Sequence, residues 1–105
     1  MRQIKAEEFD KATSTGLVLI DFGAEWCGPC KTMLPVLQRL SQELDGRLSV
    51  YSVDIDQSPD LAARQGVMSV PTIVLFKQGK AVERIVGSVT EGNLKRKLEP
   101  HLGAS

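Results

Sequence analysis

The chain has no excess of either charge and no long apolar run. Its 105 residues include thirteen lysine and arginine residues against thirteen acidic ones, and its longest single-sign block is Lys95-Arg96-Lys97. We interpret that block as a solvated helix face. The sequence therefore lacks the cluster of basic residues that is typical of a protein that binds nucleic acid or an anionic membrane. The longest unbroken apolar run, Leu17 to Ile20, is too short for a signal peptide or a membrane span. We therefore expect a soluble, cytoplasmic protein.

Potential metal ligands are also scarce. The single histidine, His101, lies near the C-terminus, where we expect it to be exposed, and the only cysteines are Cys27 and Cys30. Two cysteines are half of a zinc site, and one distant histidine cannot complete four ligands within one chain. We therefore expect no bound metal, and we expect Met33 and Met68 to pack in the core or on the surface rather than to act as ligands.

A purely structural role for the cysteine pair is disfavoured. Cys27 and Cys30 are three positions apart, and closing so small a loop contributes only about 2 kcal/mol by the chain-entropy argument. Reducing compartments oppose the bond as well. The chain does not need this bond to fold, because a single domain over 1–105 buries roughly two thirds of its unfolded surface.

The apolar pattern predicts alternating strands and helices, followed by a hairpin and a last helix. The predicted elements are an edge strand at Ile4, a helix over Ala6–Ala12, a buried strand over Leu17–Phe22, a helix from the cysteines to about Gly46, a strand over Leu48–Ile55, a helix from Ser58 to Gly66, a hairpin of Val70–Phe76 and Ala81–Val86, and a helix capped by Thr90. This order requires parallel pairing first and antiparallel pairing later. It predicts an α/β three-layer sandwich with a mixed central sheet.

The cysteines follow the carboxyl end of the strand that ends near Phe22, where open α/β sheets carry their functional groups. Helical spacing places the two Cα atoms about 5 Å apart, within the range that a disulfide accepts. The attacking species in disulfide exchange is a thiolate. Cys27 lies at or beside the helix N-terminus, where free N–H groups and the helix dipole favour an anion. We therefore predict that Cys27 is the exposed nucleophile and that a more shielded Cys30 resolves the mixed disulfide.

Neighbouring residues bear on this chemistry. Asp21 interrupts the apolar strand that leads to the cysteines and is our candidate proton acceptor for Cys30; the alternative is a solvated aspartate at a strand end. Trp26 either forms one wall of the site or packs in the core, and we favour the first interpretation. Gly28-Pro29 offers no donor or positive group to stabilise a thiolate, which favours a reductant over an oxidant.

Together these residues resemble the thioredoxin family over essentially the whole chain. The resemblance rests on Asp21-Phe22, Ala24-Glu25-Trp26-Cys27-Gly28-Pro29-Cys30-Lys31, Val70-Pro71-Thr72 and Gly87. A C-x-x-C pair alone is weak evidence, but this string is specific, because an aspartate stands six residues before the first cysteine and Val-Pro-Thr begins forty residues after the second.

The resemblance implies a five-stranded central sheet and a set of site roles. Cys27 would be the nucleophile, Cys30 the resolving thiol, Asp21 the buried acid or base, and Pro71 a cis proline facing the dithiol. Substrate contacts would come from Trp26, Gly28, Pro29, Val70 and Gly87, with the stretch 66–71 completing a shallow apolar surface. The protein would be a monomer without a bound cofactor, would act on disulfide-containing proteins, and would receive electrons from NADPH or ferredoxin through a thioredoxin reductase.

Two positions depart from the pattern of many bacterial members. Gly23 stands where those often have tryptophan, so we expect a more open wall of the site. Ser52 stands where they often have a lysine near the buried aspartate, so we expect Asp21 to titrate at a higher pH here. Two other functions stay open: a disulfide oxidant or isomerase of the same fold, and a non-catalytic subunit that uses the fold as a docking surface.

Overall fold

A computed structural model of the protein describes residues 1–102. The strands are β1 (Arg2–Gln3), β2 (Leu17–Gly23), β3 (Ser49–Asp54), β4 (Thr72–Lys77) and β5 (Lys80–Val86), and the helices are α1 (Ala6–Thr13), α2 (Gly28–Glu43), α3 (Pro59–Arg64) and α4 (Glu91–Leu102). The predicted domain, 1–105, includes three residues, 103–105, that lie outside the described part. None of the four helices within 1–102 is both long and apolar enough to cross a membrane.

The five strands form one mixed sheet in the order β1-β3-β2-β4-β5. Strands β1, β3 and β2 run parallel, whereas β4 runs antiparallel to both β2 and β5. The prediction of parallel pairing followed by antiparallel pairing is confirmed. The parallel strands β2 and β3 therefore end at one edge of the sheet, and the loops that follow them meet there.

Strand β2 sends alternate side chains to the two faces of the sheet, because successive residues of a strand point in opposite directions. Leu19 packs on the side of α2 and α4, whose contributions to this core include Leu37 and Leu94. Ile20 and Phe22 pack on the opposite side with residues of α1 and α3. The two apolar layers explain why β2 is apolar without interruption until Asp21, which follows Leu19 on the face of α2.

Two predicted strand starts are wrong, and one of them is that of β4, which begins at Thr72 rather than at Val70. Ile4 does not begin β1, which ends at Gln3; the buried Ile4 only donates its N–H to the Ser52 carbonyl at 2.8 Å before the chain enters α1. Ser58 is the N-cap residue of α3, as predicted, but it makes no side-chain capping hydrogen bond. Its side chain is buried, so Pro59 at the first helical position carries the start signal.

Candidate active site

Cys27 is the N-cap residue of α2, and it forms a disulfide with Cys30 across a Cα–Cα distance of 5.3 Å. The Cys30 N–H donates to the Cys27 Sγ at 3.2 Å. Helix α2 places this sulfur against its otherwise free N–H groups and at the positive end of its dipole. The first turn of α2, which lies wholly within the described residues 1–102, contains no acidic residue. The site therefore favours negative charge on Cys27.

Both cysteines are buried in the oxidised protein. Cys27 is 4% exposed and Cys30 is 5% exposed, and Ala24, Ile55 and Val70 pack with them. The prediction that Cys27 is the exposed member of the pair is therefore wrong for this form. The difference between the two cysteines lies in their place on α2: Cys27 caps the helix, whereas Cys30 lies within its first turn.

Asp21 lies buried on β2, two residues before that strand ends at Gly23. It is 3% exposed, and its Oδ1 has no hydrogen-bond partner among residues 1–102. Burial raises the pKa of this carboxyl from 3.8 to about 6, because removal from water disfavours the charged form. The alternative of a solvated strand-end aspartate is wrong. A carboxyl that titrates near neutrality can both accept and return a proton.

A cleft of about 350 Å³ connects Asp21 with the back of the disulfide. Asp21, Gly23, Cys30, Lys31 and Ser52 are among its lining residues. Gly23 keeps this space open, because a Cβ there would stand 3.4 Å from the Cβ and Sγ of Cys30. Asp21 and Gly23 are two residues apart on β2, so they lie on the same face of the sheet, roughly 6.6 Å from each other.

Trp26 lies on the surface beside the disulfide rather than in the core. The residue is 68% exposed, and its Nε1 donates to Asp56 Oδ2 at 2.8 Å. Asp56 is held in turn by its own N–H, which donates to Asp54 Oδ1 at 2.8 Å. The interpretation of Trp26 as a core residue is wrong. Sequence reasoning did not identify Asp56, although its position just after β3 places it at the same sheet edge as the cysteines.

The loop before β4 approaches the disulfide from the other side. The Val70–Pro71 peptide bond is cis, as the resemblance implied, and Val70 packs against the cysteine pair. Gly87 is held to this loop, because its N–H donates to the Pro71 carbonyl at 2.8 Å. The structure therefore brings Val70, Pro71 and Gly87 together next to Cys27 and Cys30.

The exposed apolar side chains include Trp26, Met68 and Val86, with Met68 95% exposed and Val86 64% exposed. Met33 is buried in the core, as predicted. His101 is not as exposed as predicted: its side chain is 19% exposed, and its Nε2 lies 3.2 Å from Glu83. Within residues 1–102, no three His, Cys, Asp or Glu side chains are grouped so as to hold a metal ion.

Comparison with known proteins agrees with this geometry. The thioredoxin family model matches residues 1–100. The thioredoxin of Staphylococcus epidermidis is 40% identical over 100 residues, which cover 95% of this chain and 96% of that protein. The thioredoxin of Staphylococcus aureus is 41% identical over 95 residues, covering 90% of this chain and 91% of its own.

A solved structure is similar over the whole chain. A mutant thioredoxin from Halobacterium salinarum NRC-1 superposes with a TM-score of 0.90 at 38% sequence identity, and the match covers 100% of this chain and 92% of that one. The family model, these relatives and the disulfide at the start of α2 lead to one conclusion. The chain belongs to the thioredoxin family and is a thiol–disulfide oxidoreductase whose redox-active pair is Cys27 and Cys30.

Proposed function

We propose that the protein reduces disulfides of other proteins, with Cys27 as the nucleophile and Cys30 as the resolving thiol. The observation that carries this proposal is the place of Cys27 at the N-cap of α2, with the Cys30 N–H donating to its sulfur. This arrangement stabilises a thiolate on Cys27 in particular. A stabilised thiolate is both the attacking species and a good leaving group.

In the first step, the Cys27 thiolate attacks one sulfur of the substrate disulfide. A bond forms between that sulfur and Cys27, the substrate S–S bond breaks, and the other substrate sulfur leaves as a thiolate that takes up a proton. In the second step, Cys30 loses its proton and attacks the Cys27 sulfur. The mixed disulfide breaks, the second substrate thiolate leaves, and two electrons have passed from the dithiol to the substrate.

Asp21 is the proposed acceptor of the Cys30 proton. Its support is a shared cleft that both residues line, together with a pKa of about 6 that lets the carboxyl exchange a proton near neutral pH. Because both residues line the cleft, a water molecule there would carry the proton between Asp21 and Cys30.

Substrate contacts are proposed for the residues that surround the disulfide. Val70 and Pro71 would present the backbone of their loop to an extended substrate segment, and Gly87 supports that loop through its bond to Pro71. Trp26 and the exposed turn of Gly28 and Pro29 would flank the substrate. The proposal also includes a thioredoxin reductase that returns electrons from NADPH or ferredoxin to this protein. The protein itself would be monomeric and cytoplasmic, with no cofactor beyond the disulfide.

Reduction of insulin by dithiothreitol tests the reaction. We expect the wild-type protein to accelerate insulin reduction strongly and the Cys27→Ser variant to lose that acceleration, since the nucleophile is gone. A Ser14→Ala variant, changed at an exposed position of the chain, provides the matched control and should keep the wild-type rate. Wild-type rates in Cys27→Ser would refute the proposed nucleophile.

A trapping experiment tests the order of the two steps. The Cys30→Ser variant should still attack but fail to resolve, so that a mixed disulfide between Cys27 and a substrate accumulates and is detected by mass spectrometry without reductant. If the mixed disulfide accumulates instead in the Cys27→Ser variant, the assigned roles are reversed. A biological role that survives both substitutions would favour the docking-subunit function.

A further inference from the structure

Met68 is an almost fully exposed methionine on the loop that leads to β4. The chain has three methionines, of which Met68 is 95% exposed, Met1 39% and Met33 2%. A thioether side chain in water adds no buried area to the core, so it does not stabilise the fold. Met68 is therefore accessible both to a bound substrate and to a dissolved oxidant.

The loop holds the backbone of Met68 beside the disulfide. Val67 packs against the core on one side of Met68, and Val70 packs against Cys27 and Cys30 on the other. The Cα atoms of Met68 and Val70 are at most roughly 7 Å apart, because each residue of an extended chain adds about 3.5 Å. Met68 therefore lies next to any substrate segment that binds at Val70.

The surface around Met68 is apolar and carries no charge of its own. Thr72 Oγ1 donates to the Ser69 carbonyl at 2.7 Å, and Thr72 pairs with Val86 across β4 and β5. Val86, which is 64% exposed, thus lies near the loop of Met68. The stretches 66–72 and 85–90 contain no charged residue. A substrate segment that covers this surface meets apolar side chains and backbone.

The chemistry of the oxidised protein leaves Met68 as an accessible sulfur. Cys27 and Cys30 are buried and bonded to each other, so neither presents a thiolate to an oxidant. A hydroperoxide takes an electron pair from the Met68 sulfur. An S–O bond forms, the O–O bond breaks, and the second oxygen takes up a proton and leaves as water or an alcohol. The product is a polar sulfoxide, which methionine sulfoxide reductases return to the thioether.

We propose that Met68 is a substrate-contact residue and that its oxidation to the sulfoxide by a peroxide slows the reduction of protein disulfides. A substrate segment that covers the sulfoxide removes a polar oxygen from water, and burial of such a group without a donor is unfavourable. The effect on substrates rests on the proposed function. The selective oxidation of Met68 does not, because it requires only the folded, oxidised protein.

Treatment of the oxidised full-length protein with hydrogen peroxide tests the selectivity. After catalase has removed the peroxide, tryptic digestion and mass spectrometry follow the gain of one oxygen by the peptide 65–77, which contains Met68, and by the peptide 32–39, which contains Met33. We expect Met68 to be oxidised at least about tenfold faster than Met33, because oxidation follows exposure. Met33 is therefore an internal control.

Reduction of insulin by dithiothreitol, which leaves the sulfoxide intact, tests the consequence. Peroxide-treated wild-type protein should reduce insulin about fivefold more slowly than untreated protein. The treated protein should reduce hydroxyethyl disulfide at the untreated rate, because this small substrate has no segment to cover Met68. The Met68→Leu variant keeps an apolar side chain without a thioether, so peroxide should not slow it. The Met68→Gln variant carries a polar group of similar length and should be slow on insulin without peroxide.

Three results would overturn the proposal. Equal oxidation rates of Met68 and Met33 would remove the selectivity. An unchanged insulin rate after complete oxidation of Met68 would remove the substrate contact. An equal loss in treated Met68→Leu and treated wild type would place the damage elsewhere in the protein. Failure of the untreated wild type to reduce insulin would refute the proposed function and the contact together, whereas the first three results leave that function intact.

Discussion

Asp21 shows how one residue acquires its chemistry from its position in the fold. On β2 it is the next residue after Leu19 whose side chain points toward α2, a position at which an apolar side chain would continue the core. The protein therefore buries a carboxyl in a layer built for apolar side chains, and burial alone raises its pKa to about 6. The same burial must reduce the stability of the folded protein when the group is charged.

We predict that Asp21 makes stability fall as the pH rises from about 4 to about 6. In this window the folded protein keeps a proton on Asp21 that the unfolded chain has released, because the pKa is about 6 in the folded protein and 3.8 for an aspartate exposed to water. At 1.36 kcal/mol per pKa unit, the loss reaches about 3 kcal/mol and stays constant at higher pH. Below pH 4 the group is protonated in both states and contributes no pH dependence.

Urea unfolding of oxidised Asp21→Asn and wild-type protein at pH 4 and pH 8 measures this effect. From pH 4 to pH 8, the unfolding free energy of the variant should rise relative to that of the wild type by up to about 3 kcal/mol. Asp10→Asn, at an exposed position, should follow the wild-type curve. Parallel curves for wild type and Asp21→Asn would contradict the prediction.

A second prediction concerns Ser52, which pairs with Asp21 across β2 and β3. Paired residues place their side chains on the same face of a sheet, so the Ser52→Lys variant should bring an ammonium group near the carboxyl and lower the pKa of Asp21. The pH dependence of disulfide reduction should shift to lower pH. Ser52→Met, with a long uncharged side chain, is the control, and an unchanged profile for Ser52→Lys would refute the coupling.

The sequence identifies these residues by type and spacing but not by all of their surroundings. Asp21 stands out because it interrupts an apolar strand, and the C-x-x-C spacing identifies the cysteines. The burial of Cys27 was not predicted, because Val70 and Ile55 reach it from distant parts of the chain. Asp56 was not predicted either, because its hydrogen bond with Trp26 joins residues thirty positions apart and no local sequence pattern indicates it.

At the scale of elements, the predicted strands and helices are all present, and the errors fall at their ends. Ile4 was misplaced because its burial depends on tertiary contacts rather than on local propensity. The hairpin turn was predicted correctly. Gln78 and Gly79, with φ of 52° and 83°, join β4 to β5, and positive φ at both central residues gives the twist that a two-residue hairpin requires.

We predict opposite effects for substitutions at the two turn residues. Gly79→Ala should destabilise the protein by about 1–2 kcal/mol, because a Cβ is disfavoured in left-handed backbone. The cause is backbone strain rather than a clash, since that Cβ would meet the Ser14 carbonyl oxygen at an ordinary 3.7 Å. Gln78→Asn should leave stability unchanged or raise it, because asparagine tolerates this conformation. Urea unfolding measures both, and equal effects of the two substitutions would argue against the conformational cause.

Helix α4 supplies a further prediction. The Asn93 N–H donates to Thr90 Oγ1 at 3.2 Å, so Thr90 caps the helix as its sequence position indicated. Thr90→Ala should lower the free energy of unfolding by about 1 kcal/mol, whereas Thr90→Ser keeps the hydroxyl and should retain most of it. Thermal or urea unfolding distinguishes the two variants, and an equal loss in both would assign the effect to the threonine methyl group instead of the cap.

At the scale of the whole molecule, the redox equilibrium of the cysteines and the stability of the fold are linked. In the unfolded chain, the equilibrium between the dithiol and the disulfide is set by the local sequence around the cysteines. Any preference of the folded protein for one redox form must therefore appear as a difference between two unfolding free energies. Gly28 and Pro29 offer the Cys27 thiolate no side-chain donor, so the folded protein should prefer the disulfide and act as a reductant.

Substitution of the spacer tests this linkage. Pro29→His places an imidazole donor in the first turn of α2 beside Cys27, where it stabilises the thiolate and hence the reduced protein. We expect the equilibrium with glutathione to shift at least tenfold toward the dithiol, while Pro29→Ala, which adds no donor, shifts it much less. A tenfold shift corresponds to about 1.4 kcal/mol, and the difference between the unfolding free energies of the oxidised and reduced protein should shrink by the same amount. If the glutathione equilibrium moves without that change in stability, the spacer acts on the unfolded chain and the folded site is not the origin of the reducing character.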